Sequence, residues 1–329
     1  MVKKLSNKKS KPLIIFMIII AATLVVAAIV KILGFGFAID DDTVKINAAG
    51  EYIGVVKIEG SISSESQGLG SSGYSHSYTL DAIKALKKDE NNKGVILYIN
   101  SPGGGVYESD EVYLAIKDYK KATGRPVYTY MGSMAASGGY YIAAASDKIF
   151  ANRNTWTGSI GVRLSTMYDV SEFLDKQGIK TKNITSGKNK AMGDISEKLT
   201  KEQEEIYQSI IDESYEQFLD IVAKGRNMKK AKVKKLADGR IYTAKQALRN
   251  GLIDKISTYE DAIIAMKKME KLNQCEVVEL DPPEENFYDS IFGAIKSLSK
   301  SGEISEIEEM LKLNNNGKFS IEYMSDICK

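Results

Sequence analysis

The sequence predicts an α/β protein in which parallel strands alternate with crossover helices, preceded by one membrane-spanning helix. Three observations predict it. Short apolar runs at 52–58, 94–99 and 126–131 have the length and composition of buried strands. Between the last two lies a helix-length stretch with apolar residues at helical spacing, and that strand–helix–strand rhythm calls for parallel pairing. Near the N-terminus, residues 13–30 form an uncharged run that is apolar but for Thr23.

The N-terminal segment sets the expected compartment. Lys3, Lys4, Lys8, Lys9 and Lys11 precede the apolar run, Lys31 interrupts it, and residues 32–39 continue it up to Asp40, Asp41 and Asp42. Lysine in that flank can snorkel, and lysines before the span with aspartates after it place the N-terminus inside and the body outside the cell membrane. The expected organisation is a cytoplasmic basic segment at 1–12, an anchor at 13–39, a linker at 40–51, a main globular domain at 52–272 and a C-terminal extension at 273–329. A cleaved signal peptide ending at Gly36-Phe37-Ala38 is the competing reading, disfavoured because the run is long for a signal. The 329 residues carry 45 basic and 43 acidic side chains, a net charge of +2, so no nucleic acid partner is expected. One histidine and two distant cysteines, Cys275 and Cys328, supply no metal cluster, and no cofactor is expected. An oxidising exterior permits those cysteines to pair without requiring it.

The body begins with a strand at 52–58 and a flexible Gly/Ser loop at 60–77, followed by a helix at 80–88 and a second strand at 94–99. Asn100-Ser-Pro-Gly-Gly-Gly-Val106 follows, and three glycines after a strand let bare amides approach a ligand. No Gly-Lys-Ser/Thr completes a nucleotide loop, which leaves an oxyanion hole or a simple tight turn. Ser109 is expected to cap a helix carrying Val112, Tyr113, Ile116 and Tyr119, closed by Gly124 and Pro126. The strand at 126–131 runs into Ala135, Ala136, Ser137, Gly138 and Gly139, then an apolar segment at 140–145. A strand at 148–151, a glycine-punctuated turn at 156–162 carrying Ser159, a helix at 169–178 and a strand at 180–184 come next. Thr200 with Gln203 and Thr243 with Gln246 form capping boxes, the first opening a long helix at 200–224 with Ile206, Ile210, Phe218, Ile221 and Val222 as its apolar stripe. The tail reads as an edge strand at 275–280, helices at 284–299 and 303–313, and a strand within 318–327.

Ser137 is the candidate nucleophile. A serine between strand and helix, walled by small residues, presents its hydroxyl with room for a substrate backbone, although close backbone packing selects the same residues. The only histidine, His76, falls in the loop and reads as solvated, so the base for Ser137 is expected to be a desolvated lysine. Lys182, Lys188, Lys190 and Lys198 all lie in range, and the residues alone do not choose among them.

Five segments carry a family resemblance: Asn100-Ser-Pro-Gly-Gly-Gly, Met131-Gly-Ser-Met-Ala-Ala-Ser-Gly-Gly-Tyr-Tyr, Thr157-Gly-Ser-Ile-Gly-Val, Ser186-Gly-x-x-Lys and Asp238-Gly-Arg-Ile-Tyr-Thr-x-x-Gln-Ala. In content and order they resemble the signal peptide peptidase A family of membrane-anchored bacterial serine peptidases, in its short single-unit form. The resemblance implies a crotonase/Clp-protease superfold of spiral ββα units. It also implies Ser137 as nucleophile, Lys190 as general base, Gly104 and Gly138 as oxyanion donors, and Ser159 as the residue orienting the lysine. It further implies a homo-oligomer, an octameric ring, with each active site shared between neighbouring subunits and with remnant signal peptides as substrates.

The expected chemistry is an endopeptidase reaction through an acyl-enzyme. Lys190 takes the Ser137 proton, and the serine oxygen attacks a peptide carbonyl. The strand-like end within 318–327 is expected either to enter a substrate groove by strand addition and be trimmed, or to fray. A crotonase-type acyl-CoA enzyme would use the same glycine-rich loops without needing a Ser/Lys pair. A catalytically silent membrane scaffold is the third class.

Overall fold

The computed structural model describes residues 44–64, 73–282 and 321–324. The expected anchor at 13–39 and the tail helices at 284–299 and 303–313 lie outside the described residues. In chain order the elements are β1 (Tyr52–Glu59), α1 (His76–Lys88), β2 (Asn92–Ser101), β3 (Gly103–Gly105), α2 (Val106–Thr123), β4 (Val127–Ala136), α3 (Gly138–Ala143), β5 (Lys148–Ala151), β6 (Trp156–Gly158), β7 (Arg163–Leu164) and α4 (Ser171–Lys176). Then come α5 (Lys201–Gly225), α6 (Lys230–Lys234), β8 (Ile241–Thr243), α7 (Ala244–Asn250), β9 (Lys255–Ile256), α8 (Tyr259–Met269), β10 (Glu276–Leu280) and β11 (Ile321–Met324).

The main sheet runs β10-β1-β2-β4-β5-β9 with every pair parallel, as the strand–helix rhythm predicts, and β6 branches from the end of β4 to pair with β8. β1 and β2 are nearly continuously buried, which is why their sequences are apolar without alternation. The larger core lies between one sheet face and α1, α2, α3 and α5, around Leu97, Tyr119, Tyr141 and Phe218. A smaller core on the other face packs Tyr128, Tyr130 and Phe150 against Met266 of α8.

Four expectations are corrected. α1 begins at His76 and not near 80, because His76 is tied down: Tyr74 Oη lies 2.8 Å from its Nδ1, and its Nε2 lies 2.8 Å from Glu111 Oε2. α2 begins at Val106 with Gly105 as N-cap, so Ser109 does not cap it but is buried in its first turn. Residues 180–184 form no strand; Ile184 is 88% exposed, and no neighbouring edge among the described residues offers it a ladder. In α5 the buried stripe is Tyr207, Phe218, Leu219, Ile221 and Val222, whereas Ile210 is exposed. Both capping boxes form as expected, at Thr200/Gln203 and Thr243/Gln246.

Candidate active site

β4 carries Ser137 to the edge of the core and turns sharply into α3. Ser137 is 1% exposed and sits at φ 52°, ψ −116°, a conformation that L-residues rarely adopt. Such a turn costs on the order of 1–3 kcal/mol and must be held by its surroundings. The Ser137 N–H donates to Gly158 O (2.8 Å), while Tyr141 N–H donates to Ser137 O (2.8 Å). Thr157 Oγ1 donates to Ala135 O (2.6 Å), fastening β6 to the last residues of β4. Ala136 is in register with Gly158, so Ser137 and Ser159 occupy successive positions on two adjacent chain segments.

Ser159 is likewise bent, at φ 47°, and only 7% exposed. Its N–H donates to Arg240 O (2.8 Å), and Gly239 N–H donates to Ile160 O (3.1 Å). The Asp238-Gly239-Arg240 turn, itself closed by an Asp238–Arg240 ion pair, therefore braces the Ser159 segment.

The three glycines form a short strand, not a bare turn. Ile62 N–H donates to Gly103 O (2.9 Å) and Gly105 N–H donates to Ile62 O (2.8 Å), so one edge of β3 is occupied. Backbone groups alternate along a strand, which leaves the Gly104 N–H on the opposite edge. A Cβ at Gly104 would collide with the Ile62 backbone, so only glycine lets these segments meet. A Cβ at Gly138 would collide with Ser109 Oγ and stand 3.2 Å from Gly104 N and 3.3 Å from Gly103 Cα. Ser137, Gly138, Gly104 and Ser159 are thus brought together at one end of the sheet.

On the free edge of β3 lies β11. It runs antiparallel with Tyr323 opposite Gly104 and Met324 opposite Gly103, and its other edge meets Arg163 and Leu164 of β7. A segment from the far end of the chain thereby occupies the groove beside the Ser137 turn.

Lys190 is not brought to this cluster. It is exposed, in a turn where its N–H donates to Gly187 O (3.0 Å), and its side chain has no partner among the described residues. Lys188 pairs with Glu202 (2.8 Å). Both belong to an arm, 165–199, tied to itself by Val170 N–H to Ile195 O (2.8 Å) and Lys198 to Glu172 (2.7 Å). α4 in this arm buries nothing, and Met167, Tyr168, Phe173, Ile179 and Ile184 are all exposed. Sequence reasoning missed two contributors, Ile62 and Ser109, because neither close contact leaves a signal in the local pattern.

Comparison with known proteins bears on this geometry. The Peptidase family S49 model matches residues 119–273, and the Clp protease model matches residues 74–157, giving the chain a Clp-protease-like α/β fold. An Enterococcus faecium protein described as a signal peptide peptidase SppA is 40% identical over 257 residues, 78% of this chain and 74% of that protein. Protease 4 of Haemophilus influenzae is 34% identical over 79% of this chain but only 41% of its own length, and the Arabidopsis thaliana chloroplastic serine protease SPPA is 30% identical over 76% and 38%. Among solved structures, a ClpP1 mutant from Listeria monocytogenes is similar with a TM-score of 0.43 and 19% identity, over 64% of this chain and 94% of that one. The family match and the relatives define the class, a serine peptidase. The chain belongs to peptidase family S49.

Proposed function

We propose that this chain is a membrane-anchored serine endopeptidase that binds peptides as an added strand and cleaves them with Ser137 and a lysine delivered by a second copy of itself. The carrying observation is the position of β11. The groove between β3 and β7, beside the Ser137 turn, accepts an extended backbone in antiparallel register, which is how a peptidase reads unfolded substrate by main-chain hydrogen bonds. The substrates are remnant signal peptides and other unfolded apolar peptides at the outer face of the cytoplasmic membrane. That preference is supported by the relative described as a signal peptide peptidase and by the anchor-like sequence at 13–39.

In this reading Lys190 of one copy reaches Ser137 of its neighbour, where Ser159 orients its amine. Gly104 and Gly138 then hold the oxyanion. Lys190 takes the Ser137 proton as the serine oxygen attacks the peptide carbonyl, returns it to the departing amine as the C–N bond breaks, and then activates the water that hydrolyses the acyl-enzyme. Two features support delivery in trans: Lys190 is exposed without a partner among the described residues, and the arm around it exposes apolar side chains. Lys188 is held by Glu202, which favours Lys190 as the base. Arms placed in this way around a closed ring, an octamer by family resemblance, would give a sheltered chamber.

Mixing two dead variants tests it. Ser137→Ala and Lys190→Ala are each expected to abolish cleavage of a denatured reporter peptide, and Lys188→Ala to retain it. Co-assembled from unfolded chains in equal amounts, the two inactive variants should recover about a quarter of wild-type turnover, because half the sites receive each functional partner. No recovery in assembled mixtures would mean that serine and lysine act within one chain, and full activity of Lys190→Ala would remove this lysine from the mechanism.

A further inference from the structure

Ser109 is unusual among the buried polar groups. It is fully buried in the first turn of α2, yet its Oγ makes no hydrogen bond with any described protein group. A serine in this helical position ordinarily back-bonds to the carbonyl four residues earlier, here Gly105, or turns to solvent; this one does neither. A buried hydroxyl left unpaired is destabilising, so its presence asks for a reason beyond the fold.

Its location offers one. The Oγ occupies the space where a side chain of residue 138 would begin, with Gly104 N and Gly103 Cα within 3.2 and 3.3 Å of that same point. The 137–138 peptide plane, whose N–H is the oxyanion donor proposed above, is held at its carbonyl end by Tyr141 N–H (2.8 Å), and Gly138 has no side chain of its own to hold the other end. On the Gly138 side, the atom nearest to where a Cβ of residue 138 would stand is Ser109 Oγ. An alanine there would leave the turn unsupported on that side, and a bulkier side chain would push it out.

We propose that Ser109 is a positioning residue for the oxyanion hole, its γ-oxygen setting the angle of the Gly138 amide relative to Gly104. The inference rests on the peptidase reading, and its cost to the fold makes it separable from a packing role. An unpaired hydroxyl that served only the fold would be improved by removal; one that aligns a catalytic amide trades stability for rate.

Ser109→Ala is therefore expected to keep or raise the melting temperature, leave KM within about twofold and lower kcat by about 10- to 100-fold, the scale of a misaligned donor. The rate of covalent capture of Ser137 by a fluorophosphonate probe should fall in step. Unchanged kcat, or a melting temperature that falls together with kcat, would overturn the proposal. Should the alanine variant fail to fold, Ser109→Cys carries the test, because it keeps a γ atom in place while offering only a weak hydrogen bond. Its kcat is expected to stay within about tenfold of wild type, and a larger loss in a folded protein would refute positioning by the γ atom. Wild-type and Ser137→Ala proteins run alongside. If wild type cleaves no peptide, or Ser137→Ala still does, the peptidase reading fails and the positioning role falls with it, whereas an unexpected result confined to the Ser109 variants overturns the positioning role alone.

Discussion

At Ser137 the backbone and the hydroxyl make separable contributions. The turn at φ 52°, ψ −116° is strained for serine and alanine alike but open to glycine. Ser137→Ala should abolish cleavage with little change in stability, whereas Ser137→Gly should abolish cleavage and raise the melting temperature. The rise is roughly 2–4 °C for each kcal/mol of strain released beyond glycine's own entropic cost. Scanning fluorimetry of the two variants reads the difference, and a glycine variant no more stable than the alanine one would mean the turn is relaxed. His76 makes the complementary case. A lone histidine in a Gly/Ser-rich stretch reads as solvated, but its ring bridges Tyr74 and Glu111. Glu111 is held below the usual carboxylate range, first by the hydrogen bond from His76. A lowered carboxylate contributes stability above its ordinary titration range, and that contribution is lost as pH falls through the lowered value. His76→Ala is thus expected to retain peptide cleavage and to melt lower than wild type at pH 7. That gap should close as pH drops below about 4. A gap that stays constant in melting curves across pH would detach Glu111 from the effect.

Among the elements, β11 permits the most specific statement. Ile62 uses the Gly103 carbonyl and the Gly105 N–H, so the Gly104 N–H faces β11, and its register partner is Tyr323. With Gly104 in its proposed oxyanion role, the carbonyl of Tyr323 is the one presented to it, and the bond expected to be cut is Tyr323–Met324. Incubated wild-type protein should lose residues 324–329 by intact-mass measurement, while Ser137→Ala stays whole. Cleavage elsewhere in the tail would show that the register slides, and an uncut wild type that is active on peptides would make the tail an occupant and not a substrate. The sequence made most such elements legible. Apolar runs located β1, β2, β4 and β5, two capping boxes opened α5 and α7, and the alternation within 318–327 located β11. What it hid has a common cause. Ile62 and Ser109 act through contacts with glycines more than 25 residues away, and no local period records such a meeting. Residues 180–184 failed as a strand because β-propensity without a pairing edge decides nothing.

At the scale of the whole molecule, the arm at 165–199 is the part of the described chain that the core supports least. Met167, Tyr168, Phe173, Ile179 and Ile184 are all exposed on this arm, and Lys190, whose side chain has no partner among the described residues, sits among them. Since none of these side chains supports the core, charging them should spare the fold. Phe173→Asp and Ile184→Asp are each expected to change the melting temperature of dissociated protein by no more than about 0.5 kcal/mol equivalent, the range of surface substitutions. They should shift the assembled form toward monomer in light scattering, and peptide turnover should fall in proportion to the assembly lost. Fluorophosphonate labelling of Ser137 should fall with it, because on the proposed sharing of sites the amine that takes the serine proton comes from a second copy. If the charged variants remain fully active as monomers, the lysine must reach Ser137 within one chain, and the exposed arm has some other purpose. If instead they stay assembled but inactive, the arm aims the lysine without holding the subunits together, and the ring must be closed by other surfaces.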